Sequence, residues 1–268
     1  MTVEFERRFG GLRRLYGVPG AQAIFDAHVV VVGIGGVGSW AVEALARSGV
    51  SRLTLIDMDH VSESNINRQI HALEPTLGQS KAEAMRERIA QFHPHCQVDV
   101  IDDFVTADNW PKLLPSAAGL PSALIDACDQ VRAKTALAAW ALRERVPFVT
   151  VGAAGGKRLA QAVEAADLAD VTHDPLLAQL RYNLRKAHGA SRSGRMGTSC
   201  VFSREAVAPP DASCDIEIGD GSLNCHGYGS VVSVTATFGL CAAGCVMNAL
   251  ANSGKALVAT SNQTKTTL

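Results

Sequence analysis

The sequence predicts an α/β fold: a doubly wound, Rossmann-like, mainly parallel sheet with N-terminal helices and a less regular C-terminal half. Three features point there. Short apolar runs such as HVVVV at 28–32 and SALI at 122–125 lack polar alternation, as strands covered on both faces do. Strand and helix patterns alternate as far as residue 155, which calls for crossover connections and a parallel sheet. Between the first strand and the first long helix lie four glycines in six residues, GIGGVG, more than a bare strand-to-helix turn needs.

The elements follow in order. Residues 3–27 mix basic and apolar side chains and read as a helical arm. Residues 28–32 are the first strand, and 40–47 form a helix with Ala41, Ala44 and Leu45 on one face. Residues 51–56 are a strand that ends on Asp57. A polar loop at 62–67 and a turn at 78–80 lead to a helix over 81–91, with Ala84, Met85 and Ile89 inward. Residues 96–101 are a strand, and 108–121, with three prolines, are loop plus a short helix. The strand at 122–125 runs into Asp126 and Asp129. A helix over 131–145 stops before Pro147, and a strand over 147–151 leads into GAAGG. The second half offers an edge strand at 161–166 and a basic helix at 175–187 (Arg181, Arg185, Lys186). Next come a Gly/Ser/Arg-rich loop at 188–197, a strand at 200–203 and a long loop at 209–228. Residues 230–251 carry no charge and approach the length of a membrane span. Their Ser, Thr, Gly, Cys and Asn content, without aromatic or basic flanks, favours a helix packed on the sheet; peripheral membrane association is the competing reading. Residues 261–268 read as an unstructured polar tail. One domain is expected over 1–268: an arm (1–27), a nucleotide-binding half (28–155), a substrate and dimer half (156–260) and the tail.

Composition sets bounds. Among 268 residues, 47% are hydrophobic and the net charge is −1, so any nucleic-acid contact must be a local basic patch. Seven cysteines include no C-x-x-C pair, which excludes a zinc site built from two such pairs. Their odd number and the absence of a leader pattern lead to an expectation of reduced thiols in the cytoplasm.

Gly33, Gly35 and Gly38 fit the spacing G-x-G-x-x-G, with Asp57 about 20 residues further on, as a ribose-binding acid requires. Gly33 turns the chain, Gly35 and Gly36 offer bare backbone to a nucleotide, and Gly38 lets the helix approach the sheet. The helix N-terminus favours an anion. Beyond Asp57, the run Ser64, Asn65, Asn67 and Arg68 offers hydroxyl, amides and a planar guanidinium for phosphate and ribose oxygens. Lys81 adds a point charge, and Asp129 is a carboxylate suited to Mg²⁺ beside phosphates. Such a set suits a metal-bound triphosphate; a dinucleotide has no terminal phosphate to occupy it. Asp57, Asp126 and Asp129 all stand at strand C-termini, where one cleft can hold them.

GIGGVG, LIDMD, SNINRQ, GQSKAE and DACDQ, in this order, resemble the ubiquitin-activating-enzyme-like adenylyltransferases, which include the ThiF and MoeB sulfur-carrier activators. The resemblance covers residues 5–155. It implies binding of ATP and Mg²⁺, adenylation of a carboxylate and release of pyrophosphate, with Arg68, Lys81 and Asp129 as catalytic residues. The ATP-binding set it implies is Gly33, Gly35, Gly36, Gly38, Asp57, Ser64, Asn65, Asn67, Arg68, Lys81 and Asp129, the last also holding Mg²⁺. A monovalent cation is a further candidate. Where the family carries an arginine in R-Y-x-R-Q that reaches a partner subunit's ATP, this chain has glycine, leaving Arg8, Arg13 and Arg14 as candidates.

Further segments resemble one subgroup, the tRNA threonylcarbamoyladenosine dehydratases: RFGG and RLYG near the start, FVT at 104–106, GAAGG, DPLLAQLR at 174–181, CVFSREA at 200–206 and VTATFG at 234–239. The missing zinc pairs fit this subgroup. It implies a homodimer acting on tRNA, with the threonyl carboxylate as the group adenylated, the basic 181–195 region as a phosphate contact and a sulfur-acceptor protein as a further partner. Cys225, beside His226, is a weak candidate for a thioester. The competing readings are an activator of a ubiquitin-like sulfur carrier and a non-catalytic nucleotide-binding scaffold.

Overall fold

The structure is a computed structural model, and it describes residues 3–115, 119–209 and 228–265. Two helices, α1 (Val3–Phe9) and α2 (Gly11–Phe25), precede the sheet; α2 is broken at Gly17, where φ is 76°, just before Pro19. The chain then runs through β1 (His28–Val32), α3 (Gly38–Arg47), β2 (Arg52–Ile56), α4 (Lys81–Ala90), β3 (Gln97–Ile101) and β4 (Ala123–Asp126). It continues with α5 (Val131–Glu144), β5 (Phe148–Val151), β6 (Val163–Asp167), α6 (Pro175–Ala187), β7 (Ser199–Ser203) and a last helix, here α7 (Val232–Lys265).

The strands form one sheet in the order β3-β2-β1-β4-β5-β7-β6. All neighbours are parallel except β6, which pairs antiparallel with β7 at the edge. Alternate residues of each central strand feed two cores. Val29, Val31, Ala123, Ile125, Val149, Val151 and Val201 face one core, which is built with α2, α3, α4 and α7. Val30, Val32, Leu124, Phe148, Cys200 and Phe202 face the other, built with α5 and α6. Burial on both sides is why these strands read as continuous apolar runs.

The uncharged C-terminal segment is central to the first core. Val234, Phe238, Ala242, Ala243, Val246 and Leu250 of α7 are all buried there. Residues 232–256 are long and apolar enough to cross a membrane by length and composition, with a mean hydropathy of 1.6 over their most apolar 18 residues. Their small residues serve close packing within the fold. A Cβ on Gly239 would lie 2.3 Å from the Val37 carbonyl oxygen, and one on Gly254 would lie 2.7 Å from the Ala23 Cβ. The helix runs on past Gly254 to Lys265, beyond the expected end at 251 and into the expected tail, with no proline to interrupt it. Residues 108–115 form turns; residues 116–118, part of the stretch expected to hold a short helix, and the expected loop at 209–228, with Cys214 and Cys225, fall outside the described residues, apart from the two ends of that loop.

His71, after the polar run, is buried with neither ring nitrogen hydrogen-bonded. Burial, with the Lys81 and Arg88 charges adding to it, pushes its pKa down to about 4.

Two outcomes are expected. Gly239→Leu drives a side chain into the α3 backbone and lowers stability by about 3 kcal/mol, or roughly 6–12 °C in Tm, while the exposed Asn252→Ala melts like wild type; equal melts for all three would show that α7 does not pack this way. His71 is neutral when folded and has an ordinary pKa of about 6.5 when unfolded. Its contribution, roughly 3 kcal/mol, is therefore present above about pH 6.5 and is lost as pH falls toward 4. Urea unfolding of His71→Leu across that window gives a shallower pH slope than wild type; an unchanged slope refutes the assignment.

Candidate active site

Strand order reverses between β1 and β4, and ligands of open parallel sheets bind beyond the strand C-termini at such a point. A cleft of about 360 Å³ opens there. Gly33 sits at φ 84° directly after β1, and a Cβ on it would lie 2.9 Å from the Ala127 backbone after β4. The two strand ends can meet only because that atom is missing. Gly35, Gly36 and Val37 line the cleft. No side chain caps the N-terminus of α3, so its partial positive charge is left to an anion in the cleft.

β2 delivers Asp57 to the same floor. The buried carboxylate accepts from the Ile34 amide (2.5 Å) and the Asp59 amide (2.8 Å). Burial raises its pKa, while Lys81 and those two amides oppose the rise. Lys81, buried at the start of α4, reaches across to Asp59 Oδ2 at 2.6 Å. Arg68 is folded back on the polar run: its guanidinium donates to the Ser64 carbonyl and to Asn67 Oδ1 (2.9 Å), and its stem packs against Gly36. Trp40 Nε1 donates to the Arg68 carbonyl at 3.0 Å, tying this run to α3.

The opposite wall is Ala127, Cys128, Asp129 and Gln130 after β4, with Gly152, Ala153, Ala154 and Gly155 after β5. Asp174, the N-cap of α6, holds the latter loop by accepting from the Ala153 amide (2.9 Å), and Leu176 of α6 faces the cleft. Phe104 and Val105, in the loop after β3, add apolar surface.

Of the residues expected in the site, Gly33, Gly35, Gly36, Asp57, Arg68, Lys81 and Asp129 line the cleft. Gly38, Ser64, Asn65 and Asn67 do not. Gly38 is packed beneath the turn, where a Cβ would collide with the Gly33 carbonyl. Asn65 is buried and accepts from the Ser62 amide at 3.1 Å, bracing its own turn. Asn67 donates to the Ser230 carbonyl at 3.0 Å. Asp126 is also not in the cleft: it is fully buried beneath it and paired with Lys134. Its inward rotamer belongs to the second core, which a strand-end position alone does not reveal.

Several lining residues escaped the sequence reading: Asp59, Gln69, Asp103, Gln130 and Thr235. Asp59, the second acid of LIDMD, carried a signal through its spacing from Asp57; Thr235 arrives from a remote helix and carried none. Among the N-terminal candidates, Arg8 donates to the Phe92 carbonyl, and Arg13 pairs with Glu6 and lies over the Phe25 ring. Arg14 is exposed. In the basic region, Arg181 is spent on the Leu168 and Val171 carbonyls, whereas Arg192 and Arg195 are exposed.

The sequence matches the ThiF family over residues 9–267. It is 47% identical over 247 residues (89% of this chain, 91% of the relative) to the tRNA threonylcarbamoyladenosine dehydratase of Escherichia coli strain K12. It is 40% identical to the protein of that name from Haemophilus influenzae, covering 92% of this chain and 94% of that one. The crystal structure of the E. coli enzyme, TcdA, in complex with ATP superposes with a TM-score of 0.84 at 44% identity, over 95% of this chain and 98% of that one. The same enzyme has also been solved with AMP. The sheet order, the cleft at its switch point and this full-length similarity agree: the chain belongs to the ThiF family.

Proposed function

We propose that this protein is an ATP-dependent tRNA threonylcarbamoyladenosine dehydratase. The single observation that carries the reading is the cleft itself: glycine turn, Asp57, Arg68, Lys81 and Asp129 converge at one switch point, in a chain that matches dehydratases over nearly its full length. In this reading the threonyl carboxylate attacks the α-phosphorus of ATP. A new O–P bond forms, the bond to the β-phosphate bridging oxygen breaks, and pyrophosphate leaves. A nitrogen or oxygen of the same side chain then attacks the acyl carbon, its proton is released, and AMP departs with the former carboxylate oxygen. The net change in the nucleoside is loss of water. Positioning supplies much of the rate of such an intramolecular closure.

Asp57 takes the ribose hydroxyls, Gly33, Gly35 and Gly36 leave space for the nucleotide, and Arg68 and Lys81 neutralise the phosphates. Lys81 then exchanges Asp59 for phosphate oxygens, and Ser64 and Asn67 act indirectly by holding Arg68. Asp129 is exposed on the wall facing them, which fits a Mg²⁺ site shared with phosphate oxygens. No group of three His, Cys, Asp or Glu among the described residues would hold a metal without such help. A Mg²⁺ held by Asp129 and the phosphates would offset charge on the leaving pyrophosphate.

The wider assignment has residues 28–155 bind the nucleotide and 156–260 the substrate. Arg185, Lys186, Arg192 and Arg195 meet tRNA phosphates, supported by their exposure or half-exposure; Arg185 and Lys186 stand on the last turn of α6, roughly 14 Å along the helix from Leu176 at the cleft. Exposed Leu15 and Val18 on α2 and Leu240 on α7 suit a homodimer, which would bring Arg14 toward a second site. Reduced thiols fit the cytoplasm, and a sulfur-acceptor protein is the expected further partner.

Lys81→Ala, Arg68→Ala and Asp129→Ala are each expected to reduce tRNA-dependent AMP release by at least about 100-fold with unchanged melting; mass spectrometry of nucleosides from tRNA treated with protein and ATP identifies the cyclic product. Normal turnover in all three removes the site. An adenylated carrier C-terminus, with no change in tRNA, would favour the sulfur-carrier reading. Arg192→Glu with Arg195→Glu is expected to raise KM for tRNA several-fold at low salt, with KM for ATP unmoved; equal KM values at every salt concentration exclude this face.

A further inference from the structure

Beneath the cleft lies a polar cluster that the reaction above does not use. Lys134, on the first turn of α5, and Asp126, the last residue of β4, are both fully buried and 3.1 Å apart. The Lys134 ammonium spends its three protons on Asp126 Oδ2, on Thr150 Oγ1 (3.2 Å) and on the Val151 carbonyl (2.8 Å). Thr150 passes its own proton to Asp126 Oδ2 at 2.6 Å. The other oxygen, Oδ1, accepts from the Cys128 amide (3.2 Å) and the Cys128 thiol (2.9 Å). Burial opposes the Lys134 charge, yet Asp126 beside it holds its pKa above the ordinary value. Burial and the Asp126 charge push the Cys128 thiol well up, so it stays a protonated donor.

The side-chain donors of this cluster are matched, and it meets the cleft wall at two points: Cys128 lines the cleft, and the Val151 carbonyl adjoins Gly152. Cys128 precedes Asp129. Val151 precedes the Gly152–Gly155 loop. A buried ion pair is weak ground for stability, because apolar replacements of similar volume are often neutral or better. What the pair does supply is fixed geometry: it locks the turn after β4 to the end of β5, the two segments that face the glycine turn.

We propose that Lys134 and Asp126 are positioning residues for the reaction, clamping residues 127–130 and 152–155 into one rigid wall that sets where Asp129 stands relative to the bound nucleotide. This rests on the adenylation reading of the cleft, but the clamp has its own observable.

The test compares wild type, the apolar double variant Lys134→Met with Asp126→Leu, and the milder Thr150→Val. Each is measured for Tm, for amide hydrogen exchange without ligand, for ATP affinity by calorimetry and for kcat of tRNA-dependent AMP release. The expected result is near-wild-type melting, faster exchange confined to 127–130 and 152–155, and a loss in kcat on the order of 10–100-fold for the double variant, with ATP affinity changed less than kcat. Thr150→Val is expected to show the same pattern to a smaller degree, and it decides the question if the double variant does not fold. Wild-type exchange in those segments, or wild-type kcat despite faster exchange, overturns the proposal. Absence of ATP binding by the wild type would instead sink the adenylation reading, leaving the exchange result to judge the clamp as a structural device.

Discussion

The close approach of the chain segments after β1 and β4 is the constraint on which the site depends. Parallel strands on either side of a switch point send their helices to opposite faces, so the chain diverges and leaves a crevice. Here the crevice floor closes because Gly33, at φ 84°, has no Cβ to strike the Ala127 backbone. With any other residue the turns would part, and α3 would no longer aim its N-terminus where Asp57, Lys81 and Asp129 converge.

Charge in the cleft is arranged unevenly. Among the described residues, Asp57, Asp59, Asp103 and Asp129 line it with Arg68 and Lys81 as the cations. An anionic nucleotide entering alone would meet net repulsion from these side chains, which a divalent cation accompanying its phosphates would remove. Lys81 is held by Asp59, and Arg68 by Ser64 and Asn67, so both cations have a fixed place in the fold. Neither is left unpaired: Lys81 has a carboxylate, and Arg68 has a carbonyl and an amide oxygen.

The long C-terminal helix joins stability to the site. Its apolar residues complete the first core, and Thr235 near its start lines the cleft and lies 3.4 Å from the Arg68 carbonyl. Arg68 is thereby gripped from behind by α3, through Trp40, and by α7. This accounts for a stretch whose composition resembles a membrane span: it must be apolar enough to be buried and small enough, at Gly239 and Gly254, to let two helices touch it.

The sequence alone determined the fold class, nearly every element and the glycine-turn, Asp57 and Lys81 part of the cleft. Those features depend on local chemistry: apolar runs for strands covered on both faces, glycines where the backbone must turn, and an acid at a fixed distance from them. Tertiary structure decided the rest. The strand-end acids Asp126 and Asp129 look alike in DACDQ, yet one is locked under the cleft by Lys134 and the other is exposed on its wall. Asn65 and Asn67 read as ligand groups but satisfy their own loop and Ser230, and Arg181 reads as a free cation but caps two carbonyls. The reason is physical: a polar side chain takes whichever partner packing brings within reach, whether 3 residues away, as Ser62 is from Asn65, or 163, as Ser230 is from Asn67.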